Sequence, residues 1–405
     1  MSWRDVSVGE VCDLSTGGTP SKENTEYFDN SDILWLVSGD IHKREIFDCN
    51  GRITELGYKN SNAKFLPIDS VLIALNGQGK TRGTVALLRV RATCNQSIVA
   101  ITPKNKDELD SKYLFYYLDG KYEYIRRLTG DSGNDRRGLN MPLIRKIYLP
   151  LPPLKTQQKI VAKLDAILAE IDKATAAAEA NAKNAEALFQ SYLTEVFERG
   201  GEGWSNKKIS EIAKIKGGKR VPKGYELKNE VTPYVYLRVT NFSENGDIDT
   251  TDLRYVDNEV WSGIKNYIIN SEDLYISIAG TIGRTGMVSA QLSGSLLTEN
   301  ACRLVFNNDI NNKFVYYFTK SSSFISQTVE QTRTTAQPKL ALSRLGEITL
   351  AIPSLDEQLE INKKLDLMTT QISIYKNCYE QKIIELNALK QSILKQAFNG
   401  ELVKE

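Results

Sequence analysis

The chain has 405 residues, 41% hydrophobic and 25% charged, so we expect two or three globular domains and no extensive disorder. A formal net charge of only +2 excludes a polycation and confines any nucleic-acid surface to local patches. No apolar run reaches about 18 residues, and five scattered cysteines without a CxxC pair are typical of reduced thiols in a cytoplasmic protein.

Residues 1–150 predict a first globular domain of mixed α/β type. Its β-branched and aromatic runs are short and bounded by Gly, Asn, Asp and Pro. The predicted strands are Ile33–Val37, Val71–Leu75, Val85–Val90, Ile98–Thr102 and Ile147–Leu149, and Ser111–Leu118 is a predicted short helix.

Residues 151–200 predict a long helix. From Ile160 to Tyr192 the apolar positions alternate in steps of four and three, a 3.5-residue period typical of a helix packed along another helix. Pro152 and Pro153 block helix before it, and Gly200 ends it.

The whole pattern recurs 201 residues later. Residues 201–351 repeat the globular domain and residues 352–405 repeat the long helix, which ends at Gly400. Predicted strands of the second copy are Val235–Val239, Leu274–Ile278, Ala301–Phe306 and Ile348–Ile352, with a short helix over Asn312–Thr319. Matching positions are mostly apolar while the residues between them diverge, so we expect one fold with two different surfaces.

The two long helices are expected to pair antiparallel within the chain. In that arrangement the small Ala178 would face the large Tyr379, which fills the seam. The predicted architecture is therefore two pseudo-twofold-related globular domains joined by two long antiparallel coiled-coil helices, and an intermolecular coiled coil is the structural alternative. The predicted seam residues are Leu164, Ile171, Ala178, Leu188, Leu365, Ile372, Tyr379 and Leu389.

The motifs of common enzyme classes are missing from the sequence. It has no G-x-x-x-x-G-K-[ST] loop, no Cys/His zinc spacing, no H-E-x-x-H and no G-x-S-x-G. The one histidine, His42, is interpreted as an ordinary surface or partly buried residue. We therefore expect a binding protein without catalytic or metal-ligating residues, with any chemistry supplied by something else.

Three Gly-rich loops with basic and amide side chains occur at matching places in the two copies. Arg and Lys neutralise phosphates, Asn, Gln and Arg read base edges, and glycine lets the backbone approach a ligand. The predicted DNA-binding residues are Gly18, Thr19, Ser21, Lys22, Gln78, Lys80, Arg82, Asn134, Arg136, Arg137, Lys219, Arg220, Arg238, Asn241, Thr281, Arg284, Arg333, Gln337 and Lys339.

The layout resembles the specificity (S) subunits of type I restriction–modification systems. The helix openings Leu151–Gln157 and Ile352–Gln358 are similar to that family's P-L-x-E-Q entry, although Thr156 stands where Glu is usual. The helix endings at Phe197 and Phe398 also match, and the run Gly17–Ser21 resembles the family's early loop.

The resemblance implies that each globular part is a target recognition domain for one half of a split, asymmetric DNA sequence. The helices would space the halves and dock two methyltransferase subunits, which carry S-adenosylmethionine. Two restriction subunits would add ATP- and Mg-dependent translocation and cleavage, and this chain would hold no cofactor. The location implied is the cytoplasm of a bacterium or archaeon. A non-catalytic coiled-coil adaptor that binds proteins rather than DNA is the alternative hypothesis, and a self-sufficient DNA enzyme is a third.

Overall fold

The computed structural model describes residues 3–77, 79–129, 138–332 and 338–403. The chain divides into two compact units, Met1–Ala178 with Gln381–Glu405, and Glu179–Glu380. Each unit therefore combines one globular domain with segments of both long helices. The predicted mixed α/β class, with two domains and two long helices, is confirmed.

The first domain and the helix that follows it contain these elements. The strands are β1 (Arg4–Ser7), β2 (Cys12–Thr16), β3 (Ile33–Leu36), β4 (Glu45–Ile46), β5 (Arg52–Ile53), β6 (Val71–Ala74), β7 (Val85–Leu88), β8 (Thr93–Cys94), β9 (Ile98–Pro103) and β10 (Tyr148–Leu151). The helices are α1 (Val8–Val11), α2 (Glu55–Lys59), α3 (Ser111–Gly120), α4 (Tyr122–Arg127), α5 (Met141–Arg145) and the long α6 (Leu154–Thr194), which continues as a π-helical turn over Glu195–Arg199.

The second domain repeats this order. Its strands are β11 (Ser205–Lys208), β12 (Ala213–Gly217), β13 (Tyr234–Leu237), β14 (Arg254–Val256), β15 (Ile268–Ile269), β16 (Leu274–Ser277), β17 (Thr285–Gly286), β18 (Ser295–Leu297), β19 (Ala301–Phe306) and β20 (Thr349–Ile352). Its helices are α7 (Ile209–Ile212), α8 (Asn258–Ile264), α9 (Asn312–Phe318), α10 (Ser322–Gln331), α11 (Leu342–Gly346) and the long α12 (Leu355–Phe398).

The main sheet of the first unit has the order β2-β9-β6-β7-β4, and a smaller sheet has the order β5-β3-β8. Val71 and Ile73 of β6 pack toward α3, while Leu72 and Ala74 pack into a second cluster on the other face. Because successive side chains of a strand point to opposite faces, an uninterrupted apolar run can be buried on both sides. The second unit has the corresponding sheets β12-β19-β16-β17 and β14-β13-β18-β15.

The two long helices run antiparallel where they meet within each unit. In the first unit, Lys163 Nζ donates to the carbonyl of Leu402 at 2.9 Å, and Leu386 lines a groove with Ile171. In the second unit, Leu193 near the end of α6 shares a cluster with Leu365 near the start of α12. Within the described ranges, no helix is long and apolar enough to cross a membrane.

The seam departs from the predicted period toward the end of each helix. Leu164, Ile171, Ala178 and Leu365 are buried, and Ile372 and Tyr379 are half-buried. Leu188 and Leu389, however, are 63% and 47% exposed, so they are corrected to the margin of the seam; Leu188 still lines a groove with Ile372 and Tyr379.

Phe189 and Leu193 take the inward positions in α6, and Lys390 and Leu394 take them in α12. A straight helix with 3.6 residues per turn drifts from a 3.5-residue pattern, and the drift turns these helix ends toward the globular cores. Phe197, for example, packs against the rings of Phe314 and Phe318.

Candidate nucleic-acid interface

Two loops of the first domain and the described end of a third meet at one end of its main sheet. β2 and β6 both run antiparallel to β9 and both end where β9 begins, at Ile98 and Val99. After α4 the chain returns to this end, where the N–H of Leu139 donates to the carbonyl of Leu75 at 3.2 Å. We call this end the first edge, and it carries residues 17–22, 75–77, 79–83 and 138–139.

The second domain has the same arrangement. β12 and β16 run antiparallel to β19 and end where β19 begins, at Ala301 and Cys302. The N–H of Leu340 donates to the carbonyl of Ile278 at 2.9 Å. This second edge carries residues 218–220, 279–284 and 338–340. The structure thus brings together, in each copy, the first two of the matching loops that the sequence singled out and the described end of the third.

Exposed lysines lie on both edges. Lys22 and Lys80 are exposed on the first edge, and Lys219 and Lys339 on the second. In the described part of the chain none of these four ammonium groups forms an ion pair with a carboxylate. The Lys219 ammonium lies 5.8 Å from the centre of the Tyr267 ring, an additional weak attraction. Each edge therefore presents positive charge that a phosphate could neutralise.

The arginines near the second edge are held by neighbouring groups. Arg220 Nε contacts Glu299 at 2.5 Å, yet 78% of its side chain is exposed. Burial has the largest single effect and raises the pKa of the Glu299 carboxyl, but the hydrogen bonds from Arg220, the main chain and Thr298, together with the Arg220 charge, outweigh it, so the net shift of this pKa is downward. Arg284 donates through Nη1 to the carbonyl of Phe242 at 3.0 Å and contacts Glu244 at 3.3 Å.

Two more arginines are half-buried. Arg238 contacts Asp252 at 2.8 Å, which leaves its guanidinium tied to the loop before β14. The Nε atoms of Arg238 and Arg82 are buried and, within the described residues, have no hydrogen-bond acceptor. Because these two Nε atoms are buried, an acceptor from outside could reach them only if the side chains moved.

Three predicted DNA-binding residues instead have contacts that stabilise the fold. Gly18 is buried, and its carbonyl accepts a hydrogen bond from Trp35 Nε1 at 3.0 Å. Asn241 is 2% exposed and its side-chain amide bonds main-chain atoms of its own loop, so it is not placed to read a base. Thr19 is half-buried and its hydroxyl donates to Gln96 Oε1 at 2.6 Å.

The other predicted residues are either exposed or undescribed. Ser21 and Thr281 are exposed beside the lysines of their edges. Gln78, Asn134, Arg136, Arg137, Arg333 and Gln337 lie outside the described residues.

Two residues of α4 that the sequence reasoning missed brace the loop of the first edge. Arg126 Nη1 donates to the carbonyl of Gly79 at 2.6 Å, and the Tyr122 hydroxyl donates to the carbonyl of Lys80 at 2.8 Å. In the same loop, Thr81 Oγ1 lies 3.0 Å from His42 Nε2. The signal that could have found them is the combination of two tyrosines with three basic residues in Lys121–Arg127, shortly before the third loop.

Reactive side chains are scarce in the parts of the chain that the structure describes. Burial raises the pKa of the Cys12, Cys94 and Cys302 thiols to about 12, so they are protonated near neutral pH. Among the described residues, no three His, Cys, Asp or Glu side chains are grouped so that they could hold a metal ion.

The pair of repeated domains matches a known family. Residues 1–181 and 201–384 match the type I restriction modification DNA specificity domain. The chain belongs to this family. The similarity to type I specificity proteins extends over most of this chain. The family is named for DNA specificity, which is a recognition role within a restriction–modification complex.

Curated relatives and solved structures agree with this membership. The chain is 25% identical over 417 residues to the EcoprrI specificity subunit of Escherichia coli, covering 98% of this chain and 93% of the relative. It is 22% identical over 370 residues to the MjaIX specificity subunit of Methanocaldococcus jannaschii, covering 87% and 83%.

Two solved structures share the fold. A chain from a study of complex assembly and conformational transition of the type I R-M system has a TM-score of 0.79 at 19% identity, covering 99% of this chain and 98% of that chain. The HsdS subunit from Thermoanaerobacter tengcongensis has a TM-score of 0.57 at 19% identity, covering 99% and 97%.

Proposed function

We propose that this chain is the DNA sequence-specificity subunit of a type I restriction–modification complex, and that each edge reads one half of a bipartite, asymmetric target. The observation that carries the proposal is that two Gly-rich, basic loops and the described end of a third lie at one sheet edge in both domains. Lysines on these edges would position the phosphate backbone, and amide and guanidinium groups beside them would read base edges.

The long helices are proposed to hold the catalytic partners. Leu367, Ile374, Tyr375 and Ile384 of α12 are each more than half exposed, an unusual number of large apolar side chains for one solvated helix. They would contact two methyltransferase subunits that carry S-adenosylmethionine, and two restriction subunits would supply ATP- and Mg-dependent cleavage. The chain itself would be non-catalytic, hold no cofactor and act on DNA in the cytoplasm of a bacterium or archaeon.

The test is to express the chain with its cognate methyltransferase subunit and to map modified bases in the host DNA. We expect one split motif with a modified adenine in each half. Replacing residues 1–150 by another recognition domain should then change one half of the motif only. A soluble complex that leaves the DNA unmodified, or an exchange that alters both halves, would contradict the proposal and favour the protein-binding adaptor.

A further inference from the structure

A buried glutamine joins each recognition domain to the start of its long helix. Gln157 is fully buried, and its Nε2 donates to the carbonyls of Glu108 and Pro152, both at 2.8 Å. Its Oε1 accepts from the N–H of Asp110 at 2.9 Å. Both amide hydrogens are used, so the side chain has a single orientation that satisfies its partners.

The second unit repeats this joint. Gln358 is also fully buried and donates to the carbonyls of Asp309 and Pro353, both at 3.1 Å. It accepts from the N–H of Asn311 at 2.8 Å. Asp110 and Asn311 cap the helices α3 and α9, so each glutamine holds the N-cap residue of the helix that lies on its domain's sheet.

A second polar attachment lies two turns along each long helix. Asp165 accepts from Lys112 Nζ at 3.0 Å and from the Tyr116 hydroxyl at 2.5 Å. Eight residues separate Gln157 and Asp165, which corresponds to about 12 Å along the helix axis.

The same contacts recur in the second unit. Asp366 accepts from Lys313 Nζ at 2.7 Å and from the Tyr317 hydroxyl at 2.5 Å. In both units two separated contacts therefore fix the short helix against rotation on the long one.

The glutamine, aspartate, lysine and tyrosine of these joints are identical in the two copies. Some neighbours on the long helix are identical too, such as Ile160 and Ile361, but on the short helix most neighbours differ. Between Ser111–Gly120 and the matching ten residues of the second copy, the only identical pairs are the lysine and the tyrosine that reach the aspartate. The neighbouring core pairs change, as in Tyr113 against Phe314. Apolar packing alone needs only volume and hydrophobicity, whereas hydrogen bonds also require direction.

We propose that Gln157, Asp165, Gln358 and Asp366 are positioning residues that set the direction in which each edge faces from its long helix, and thereby the permitted spacing between the two half-sites. The inference rests on the proposed function. Few contacts separate the long helix α6 from the first edge. The helix α3 packs against the main sheet and α6 in one apolar cluster, and the strands of that sheet end at the edge. The aspartate contacts are partly exposed, so they contribute little to the free energy of folding. Their proposed role is to fix direction.

The experiment uses the full chain with its cognate methyltransferase subunit and a plasmid library in which the half-sites of the wild-type motif are separated by spacers one or two base pairs shorter or longer. The variants are Asp165→Asn with Asp366→Asn, Tyr116→Phe with Tyr317→Phe, and Gln157→Leu. The matched controls are Gln158→Leu, an exposed neighbour of Gln157, and Glu170→Gln, an exposed acidic residue of the same helix.

We expect the wild type and both controls to methylate one spacer length. The aspartate and tyrosine variants should raise the ratio of methylation at neighbouring spacers to that at the wild-type spacer at least tenfold, with the half-site bases unchanged. The ratio compares two substrates of the same preparation, so a loss of folded protein does not change it.

An unchanged ratio in the aspartate and tyrosine variants would overturn the inference, even if Gln157→Leu fails to fold. If the wild type shows no split motif at all, the proposed function fails first. If the wild type methylates a split motif with one spacer length and the variants show the same ratio, only this inference is refuted and the proposed function stands.

Discussion

Replacing Arg303 by Met should strongly destabilise the second unit. Arg303 Nη1 contacts Asp273 Oδ2 at 2.6 Å, with the two side chains only 9% and 6% exposed. Without the guanidinium, the Asp273 carboxylate still accepts a hydrogen bond from the N–H of Asn270 at 2.9 Å, but it has lost its positively charged partner. Breaking one partner of a buried pair costs about 3–5 kcal/mol, equivalent to a shift of about 10²–10⁴ in the unfolding equilibrium.

Arg220→Met is the matched control, because its contact with Glu299 is as short but its side chain is 78% exposed. We expect its free energy of unfolding to equal that of the wild type within error, while its DNA affinity falls and the salt dependence of binding weakens. The two variants differ mainly in burial, so the comparison isolates the cost of leaving a carboxylate unpaired inside the protein.

Urea unfolding of the full chain measures the difference, and hydrogen exchange assigns it to a unit. Amides of β19 report the second unit, and amides of β9 provide the internal reference in the first. The double variant Arg303→Met with Asp273→Asn should cost less than the sum of the single changes, because it removes the orphaned charge. A change below about 1 kcal/mol for Arg303→Met, or strict additivity in the double variant, would show that burial does not control this pair.

Three further outcomes are expected. Leu164→Asp should cost several kcal/mol because it buries an unpaired charge, whereas Leu188→Asp should change the unfolding free energy by no more than about 0.5 kcal/mol; equal effects in urea unfolding would contradict the corrected seam. Arg82→Ala and Arg284→Ala should each weaken duplex binding by about 1–3 kcal/mol in anisotropy titrations if the side chain reads a base, and unchanged affinity and sequence preference in both would remove these loops from the interface. Burial lowers the pKa of Lys320 from 10.5 to about 8, so between these pH values the unfolded chain binds more protons than the folded chain. The free energy of unfolding of the wild type should therefore rise with pH relative to that of Lys320→Met, by up to about 1.4 kcal/mol per pH unit. A difference between the two proteins that stays constant from pH 8 to pH 10 would refute the shift.

The buried strands were predictable because their sequences are continuous apolar runs. Val71–Ala74 and Leu274–Ser277 were predicted to within one residue, as was the helix over Asn312–Phe318. Strands such as Arg4–Ser7 and Ser205–Lys208 were not, since they are polar and form only by pairing with the distant β10 and β20. Their pairing energy comes from partners more than a hundred residues away, which a local pattern cannot contain.

The sequence located the loops of the interface better than it assigned their side chains. The Gly-rich runs do lie at matching sheet edges, because the repeat itself marks equivalent places. Asn241, however, has the same chemistry whether it reads a base or bonds its own backbone, and only the fold decides that it caps the loop at Arg238. Arg126 was overlooked for the converse reason, since its contact with Gly79 spans 47 residues.

The division of the chain into units has a consequence for biosynthesis. Leu394 and Ala397 belong to the core that Met1–Ala178 forms, whereas Glu179–Glu380 is contiguous. At about 5–20 residues per second, the ribosome needs about 10–40 s to pass from Ala178 to Gln381. Throughout that interval the nascent first unit lacks the apolar side chains that complete its core, so the second unit can close before the first. A message truncated within the last helix would therefore damage the domain encoded at its beginning.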